Sequence, residues 1–120
     1  MMNEDQKKAV DQQVAAVNSS WFRYFLSYDP RPALSRLTCP VLAMIGEKDL
    51  QVPPKSNLPA IEKALAEGGN KNFKTMELPN LNHLFQNSET GTVSEYAQIE
   101  ETISPKVLEI MTEWIREVVD

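Results

Sequence analysis

The sequence predicts an α/β protein in which N-terminal helices precede a strand–helix–strand–helix unit with parallel strands. Residues 41–45 form a short, continuous apolar run without alternation, which is typical of a strand buried on both faces of a parallel sheet. A second strand is predicted over 72–78, before Pro79-Asn80. Because a predicted helix separates the two strands, we expect them to form a right-handed parallel crossover unit.

Helical periodicity and capping residues predict two helices before the first strand. Apolar residues at helical spacing favour a helix over 5–17. The polar sequence Asn18-Ser19-Ser20 predicts a new N-cap and a short second helix over 20–27. Asp29-Pro30-Arg31-Pro32 then stops helix formation, because proline lacks an amide donor and restricts the residue before it.

The crossover helix is expected to have Ser56 or Asn57 as its cap and Pro59 in its first turn, and to end at Gly68-Gly69. Its predicted buried stripe consists of Leu58, Ile61 and Leu65.

The last helix is expected to have Ser104 as its N-cap and Pro105 at its first position. Its predicted buried stripe is broad and consists of Val107, Leu108, Met111, Trp114, Ile115 and Val118.

The whole chain is expected to form a single partial domain over 1–120. It comprises a helical lead-in over 1–30 and the strand–helix–strand–helix part over 38–120. Two strands make a poor sheet, since one edge and much of both faces lack partners. A sequence that encodes a strand buried on both faces but supplies only two strands is therefore expected to belong to a longer parent chain.

Composition and charge exclude several classes of function. A net charge of −5 and a pI near 4.9 argue against a nucleic-acid-binding protein, which would carry a basic face. No apolar run approaches the roughly 18 residues of a transmembrane helix, so no membrane partner is expected. Residues 1–8 lack the apolar part of a signal peptide, but such a signal could lie upstream in a longer parent, so the compartment stays open. The single cysteine, Cys39, is expected to be a buried free thiol.

Two polar segments follow the predicted strands, at the end where parallel sheets bind ligands. The first contains Asp49, and the second contains His83, the one histidine of the chain. They are 83 − 49 = 34 residues apart, a distance that one helix and one strand bridge, so adjacent strand ends are expected to bring them together. A buried carboxylate that accepts from Nδ1–H fixes the histidine tautomer and leaves Nε2 free as a general base.

These segments resemble the corresponding parts of α/β-hydrolases. Residues 39–49, Cys-Pro-Val-Leu-Ala-Met-Ile-Gly-Glu-Lys-Asp, look like the strand and acid turn of that family. Residues 82–85, Asn-His-Leu-Phe, are similar to its histidine loop. The likeness covers roughly residues 20–118 and is closest to the bacterial carboxylesterase and dienelactone-hydrolase-like branch. It implies the C-terminal βαβα portion of an α/β-hydrolase sheet, with Asp49 as the catalytic acid and His83 as the general base.

The chain departs from the family at the nucleophile, which lies there on an earlier Gly-x-Ser-x-Gly turn. None of the four glycines, Gly46, Gly68, Gly69 and Gly91, flanks a serine in this way. The resemblance therefore implies the C-terminal segment of a serine hydrolase that acts on small-molecule carboxylic esters or related acyl substrates. It implies no organic cofactor, and the chain by itself is expected to be inactive. The alternative is a non-catalytic interaction module or subunit derived from a hydrolase.

Several expectations concern residues around this site. Glu47 and Lys48, beside Asp49, are alternative candidates for the functional residue of this turn, although either would simply keep the turn solvated. Glu47 is expected to accept hydrogen bonds from turn amides. Phe85 is either a packing residue or a substrate contact. No cysteine–histidine grouping predicts a metal site. Segment 87–100 is expected to be a mobile loop.

The remaining expectations concern packing and association. The open edge of the first strand predicts a homodimer, unless residues 5–28 fold over that edge. An aromatic cluster is expected to pack in a core rather than to line an acyl pocket: Trp21, Phe22, Tyr24, Phe25 and Tyr28.

Overall fold

The structure is a computed structural model that describes residues 2–119. Residues up to Pro30 form one compact unit, and residues from Arg31 onward form a second. The first unit contains α1 (Glu4–Val17) and α2 (Ser20–Ser27). The second contains α3 (Arg31–Leu34), β1 (Val41–Gly46), α4 (Pro54–Glu67), β2 (Phe73–Leu78), a 3₁₀ helix (Val93–Gln98) and α5 (Pro105–Val119).

The two helices of the first unit follow the predicted boundaries because each has a polar cap. Asn3 and Gln6 form a reciprocal capping box at the start of α1, with hydrogen bonds of 2.8 and 2.9 Å. The Ser19 hydroxyl accepts from the Phe22 amide at 3.2 Å and begins α2. The expected core packing of the aromatic cluster is wrong for four of its five members. These are exposed, because α2 has little apolar surface of its own unit to pack against: Trp21, Tyr24, Phe25 and Tyr28.

β1 and β2 form a parallel two-stranded sheet, which confirms the α/β class at this coarse level. Val41 pairs with Phe73 and Gly46 pairs with Leu78, so the two strands end side by side. α4 connects them and packs on both. The segments that carry Asp49 and His83 therefore follow the two strands at the same end of the sheet.

β1 is less buried than its apolar sequence predicted. Only Ile45 and Gly46 are buried, and the other four residues are half-buried. In the described part of the chain β1 has one neighbouring strand, so no strand pairs with its second edge.

α4 begins earlier than expected. Its first residue is Pro54 and its N-cap is Pro53, which makes no side-chain capping bond, so the predicted caps Ser56 and Asn57 lie inside the helix. Both donate to the Pro53 carbonyl oxygen instead, at 3.2 and 2.9 Å. Proline needs no amide partner at a helix start, which explains why the Pro53-Pro54 pair sets this boundary.

α5 has the predicted start at Pro105, but its buried stripe is narrower than expected. Val107 is fully buried against Leu78 and Leu81, whereas Leu108, Met111 and Ile115 are exposed. The apolar residues of α5 therefore form two adjacent faces, of which one meets the core.

Two further observations concern the surface. Cys39 is exposed and free, so the expectation of a buried thiol is wrong. It lies just before β1, in a connection whose backbone is held by the Asn70 side chain at the Leu37 and Cys39 carbonyl oxygens. Among residues 2–119, no helix combines the length and the apolar character needed to cross a membrane.

Candidate active site

Asp49 lies in a tight turn directly after β1. Its backbone amide donates to the Gly46 carbonyl oxygen at 3.1 Å. Its Oδ1 accepts from the amides of Gln51 and Val52, at 2.9 and 2.8 Å. These bonds close a local turn of the kind that aspartate favours and hold the carboxylate although it is only 6% exposed.

The second oxygen of Asp49 contacts His83. The Nδ1–Oδ2 distance is 2.8 Å, a normal length for a charge-assisted hydrogen bond. An ionised carboxylate only accepts, so beside a neutral ring this bond places the hydrogen on Nδ1 and leaves a lone pair on Nε2. Within residues 2–119, Nε2 has no hydrogen-bond partner, and the imidazole is 36% exposed. The structure thus brings together the two residues that the sequence singled out.

The strand ends approach closely enough for this contact because β1 finishes with glycine. A Cβ at Gly46 would overlap the Leu81 carbonyl oxygen and lie 2.7 Å from that of Asn82. Two backbone bonds join the turns here, from Glu47 to Leu78 at 2.8 Å and from Lys48 to Leu81 at 2.9 Å.

Glu47 has the role that the sequence predicted. Its Oε2 accepts from the Asn80 amide at 2.8 Å and so ties the acid turn to the histidine loop. Asn80 has a φ of 62°, a left-handed conformation that asparagine tolerates better than most residues.

Asn82, beside the histidine, was not assigned a role from the sequence. Its side chain is 0% exposed and its Oδ1 accepts from the amides of Leu84 and Gln86, both at 3.0 Å. Its Nδ2 donates to Gln86 Oε1 at 3.0 Å. The sequence feature that indicates such a role is an asparagine directly before the histidine, with a glutamine four residues after the asparagine. At this spacing one side chain can hydrogen-bond across the loop and close it.

Phe85, the expected substrate contact or packing residue, packs against the core cluster of Leu78, Leu81 and Val107. This position supports the packing alternative, and contact with a substrate stays a prediction. Its φ is 57° and its carbonyl oxygen accepts from the Ser104 amide at 2.8 Å, which links the histidine loop to the start of α5.

A second loop, over residues 87–100, supports the turn that carries Asp49 and is called the supporting loop below. Lys48 Nζ donates to the Ser88 carbonyl oxygen at 2.7 Å, and Gln51 Nε2 donates to the Tyr96 hydroxyl at 2.8 Å. This loop contains the 3₁₀ helix, within the segment 87–100 that the sequence predicted to be a mobile loop.

The carboxylate of Glu95 organises this supporting loop. Hydrogen bonds from the Thr90 hydroxyl, the Glu89 amide and the Ser88 hydroxyl lower its pKa from 4.5 to about 2. The Gly91 amide also donates to Glu95, at 3.2 Å.

Other parts of the surface offer weaker candidates for a site. An open cleft of about 770 Å³ has Asn80, Asn87 and Glu95 in its lining, but neither Asp49 nor His83. Of the two carboxylates in the lining, Glu89 and Glu95, that of Glu95 already accepts from neighbouring hydroxyls and an amide. Among the described residues, no group of three or more histidine, cysteine, aspartate or glutamate side chains could hold a metal ion.

Comparison with known proteins found no match among protein-family models, curated proteins or solved structures.

Proposed function

We propose that this chain supplies the acid and the general base of a serine hydrolase that acts on carboxylic esters or related acyl compounds. The nucleophilic serine would come from a polypeptide segment outside these 120 residues. The observation that carries the proposal is the 2.8 Å bond between Asp49 and His83, combined with an Nε2 that has no partner in the described chain.

The geometry suits proton transfer through Nε2. In the proposed reaction, Nε2 takes the proton from the serine hydroxyl as its oxygen attacks the carbonyl carbon of the ester. The same proton then passes to the leaving alcohol oxygen as the ester bond breaks and the acyl-enzyme forms. Water attacks the acyl-enzyme, its proton goes to Nε2, and that proton returns to the serine oxygen as the acid leaves.

Asp49 acts through His83 in this scheme. Two turn amides hold its Oδ1, so Oδ2 remains aimed at Nδ1 and stabilises the imidazolium that forms in the transition state. An anionic Asp49 that is nearly buried would be costly without these three donors. They hold the carboxylate in position.

We predict that the purified 120-residue chain has no serine-hydrolase turnover. An acid–base pair without an activated serine and an oxyanion hole lacks the interactions that carry most of the rate. A short-chain nitrophenyl ester should be hydrolysed no faster than by free imidazole, and a fluorophosphonate probe should not label the chain. Stoichiometric labelling of Ser27, Ser35 or Ser56 would contradict this.

The decisive experiment expresses the chain from its own locus, together with any coding sequence that precedes Met1, and labels the product with a fluorophosphonate. We expect one serine outside residues 1–120 to be labelled. His83→Gln should reduce ester turnover by about 10⁶-fold and Asp49→Asn by about 10⁴-fold, as for other triads.

Glu89→Gln provides the matched control for Asp49→Asn, because it makes the same carboxylate-to-amide change at an exposed position. It should leave turnover and labelling unchanged. A product that carries the chain but has no labelled serine, or whose labelling does not depend on His83, would refute the proposal.

One observation favours the alternative, a non-catalytic interaction module. The exposed face of α5, formed by Leu108, Met111 and Ile115, offers apolar surface that the other described residues of the second unit leave uncovered. The same labelling experiment separates the two functions, because an interaction module requires neither a reactive serine nor the Asp49–His83 bond.

A further inference from the structure

His83 is not held by its own backbone. In the part of the chain that the structure describes, neither its amide nor its carbonyl oxygen takes part in an intrachain hydrogen bond. The bond from Nδ1 to Asp49 therefore fixes the ring only if the neighbouring residues fix the main chain. A rotation of the backbone at this position would move Nδ1 out of reach, since such bonds weaken steeply below about 120°.

Asn82 provides this constraint. Its Oδ1 accepts from the amides of Leu84 and Gln86 at 3.0 Å each, and its own backbone amide donates to the Gln86 carbonyl oxygen at 3.0 Å. The Phe85 amide donates back to the Asn82 carbonyl oxygen at 3.0 Å. These four bonds close a ring of main chain over residues 82–86, which contains His83.

The side chain of Gln86 braces this ring. Its Oε1 accepts from Asn82 Nδ2 at 3.0 Å, while its Nε2 donates to the Glu101 carbonyl oxygen at 2.9 Å. Both side chains are buried, so each lost bond would leave an unpaired polar group away from water. The brace therefore resists opening of the loop.

We infer that Asn82 is a positioning residue for His83, which sets the imidazole so that Nδ1 meets Asp49 and Nε2 points its lone pair outward. This inference rests on the proposed function for its catalytic meaning, but its physical content is the geometry of one imidazole. An apolar residue of similar size at position 82 would fill the space and leave two amides unpaired.

The test uses the single histidine of the chain, whose ring signals are unambiguous in ¹⁵N-labelled protein. At a pH where the ring is neutral, the wild type should show a protected Nδ1 proton and an unprotonated Nε2. Asn82→Ala should speed exchange of the Nδ1 proton with water by about tenfold or more, the equivalent of one lost buried hydrogen bond. It should also shift the ring toward the tautomer mixture of a free imidazole.

Asn70→Ala is the matched control. Asn70 is also buried and makes three hydrogen bonds, to the Asn72 amide and to the carbonyl oxygens of Leu37 and Cys39. It lies before β2, at the opposite end of the strand from His83. Asn70→Ala should destabilise the fold comparably and leave the His83 signals unchanged.

Several outcomes would overturn the role of Asn82. A folded Asn82→Ala with unchanged Nδ1 exchange is one, and equal effects of Asn82→Ala and Asn70→Ala are another. If Asn82→Ala does not fold, Gln86→Met takes its place, because it removes only the side-chain brace. It should give a smaller increase in the exchange rate of the Nδ1 proton. No increase would overturn the inference. A wild type without a protected Nδ1 proton would overturn it together with the site. If the His83 signals behave as expected but the expressed product has no reactive serine, the proposed function is refuted and the positioning role of Asn82 stands.

Discussion

The two oxygens of Asp49 have separate tasks, and this division determines what a conservative substitution does. Oδ1 holds the turn through the amides of Gln51 and Val52, and Oδ2 accepts from His83. In Asp49→Asn the amide oxygen can keep the turn, but an NH₂ group then faces Nδ1. We predict that the ring switches to the tautomer with the hydrogen on Nε2, while stability changes by less than about 1.5 kcal/mol.

The ¹⁵N chemical shifts of His83 measure this switch directly, and urea unfolding measures the stability. An Asp49→Asn variant whose Nδ1 stays protonated would contradict the proposed hydrogen bond. The mechanistic consequence of the switch is that Nε2 has no lone pair for a serine proton.

Gly46 controls how near the two loops come. A methyl group at this position would overlap the Leu81 carbonyl oxygen, and backbone cannot move aside cheaply. We predict that Gly46→Ala costs about 1–3 kcal/mol and speeds exchange of the His83 Nδ1 proton. Urea unfolding and NMR of the same sample give both quantities.

Gly69→Ala separates loop displacement from general loss of stability. Gly69 has a φ of 82°, but a Cβ at this position would meet no atom within 4 Å. Alanine there therefore suffers only backbone strain of about 1–2 kcal/mol. His83 should be unaffected. Equal effects of the two substitutions on His83 would show that Gly46 has no special role.

At the scale of elements, patterns with a local physical cause were the ones that the sequence predicted well. The strand β1, the cap at Ser19 and the start of α5 at Pro105 depend on neighbouring residues, and all three are found near the expected positions. The predicted start of α4 was wrong because two competing helix-start signals, Pro54 and Ser56, lie two residues apart.

Patterns that depend on distant partners were predicted less well. The apolar periodicity of α5 does not reveal which of two adjacent faces meets the core, so Leu108 was expected to be buried with Val107. The contact of Asp49 with His83 followed from strand order and parallel pairing. The role of Asn82 did not follow from strand order or pairing, because this role depends on the path of a loop, and no sequence periodicity describes that path.

The supporting loop around Glu95 should respond to acid. Its pKa, about 2 in the folded state, lies below the usual value of 4.5, so its stabilising effect is complete above pH 4.5 and is lost as pH falls toward about 2. We predict that amide protection of Glu89, Thr90 and Gly91 persists at about pH 4 and declines near pH 2. Hydrogen exchange across this range measures it.

Glu95→Gln should abolish this dependence and weaken protection of the same amides at neutral pH. Glu77→Gln, at an exposed position on β2, is the matched control and should leave the loop unchanged. A decline of protection centred near pH 4.5 in the wild type would contradict the proposed stabilisation of the Glu95 carboxylate.

At the scale of the molecule, the second unit has apolar surface that its own described residues do not cover. Among the described residues, no strand pairs with the outer edge of β1, and an edge of this kind favours pairing with another chain. The second apolar face of α5 consists of Leu108, Met111, Ile115 and Val119, all exposed. If the chain belongs to a longer hydrolase, as proposed, further strands and helices of that parent would cover both surfaces. For the isolated chain we expect a second copy to cover them, unless residues 5–28 fold over the β1 edge.

We therefore predict that the isolated chain is a homodimer at micromolar concentration. A two-fold contact buries the same surface on both copies, and about 800 Å² per partner is a standard interface. Sedimentation equilibrium decides the point, since a mass that stays at the monomer value across the concentration range would rule the dimer out. Met111→Lys then identifies the surface: it should give a monomer if the α5 faces meet and retain the dimer if the β1 edges pair. Ala97→Lys adds the same charge at an exposed position of the 3₁₀ helix and should not change the mass.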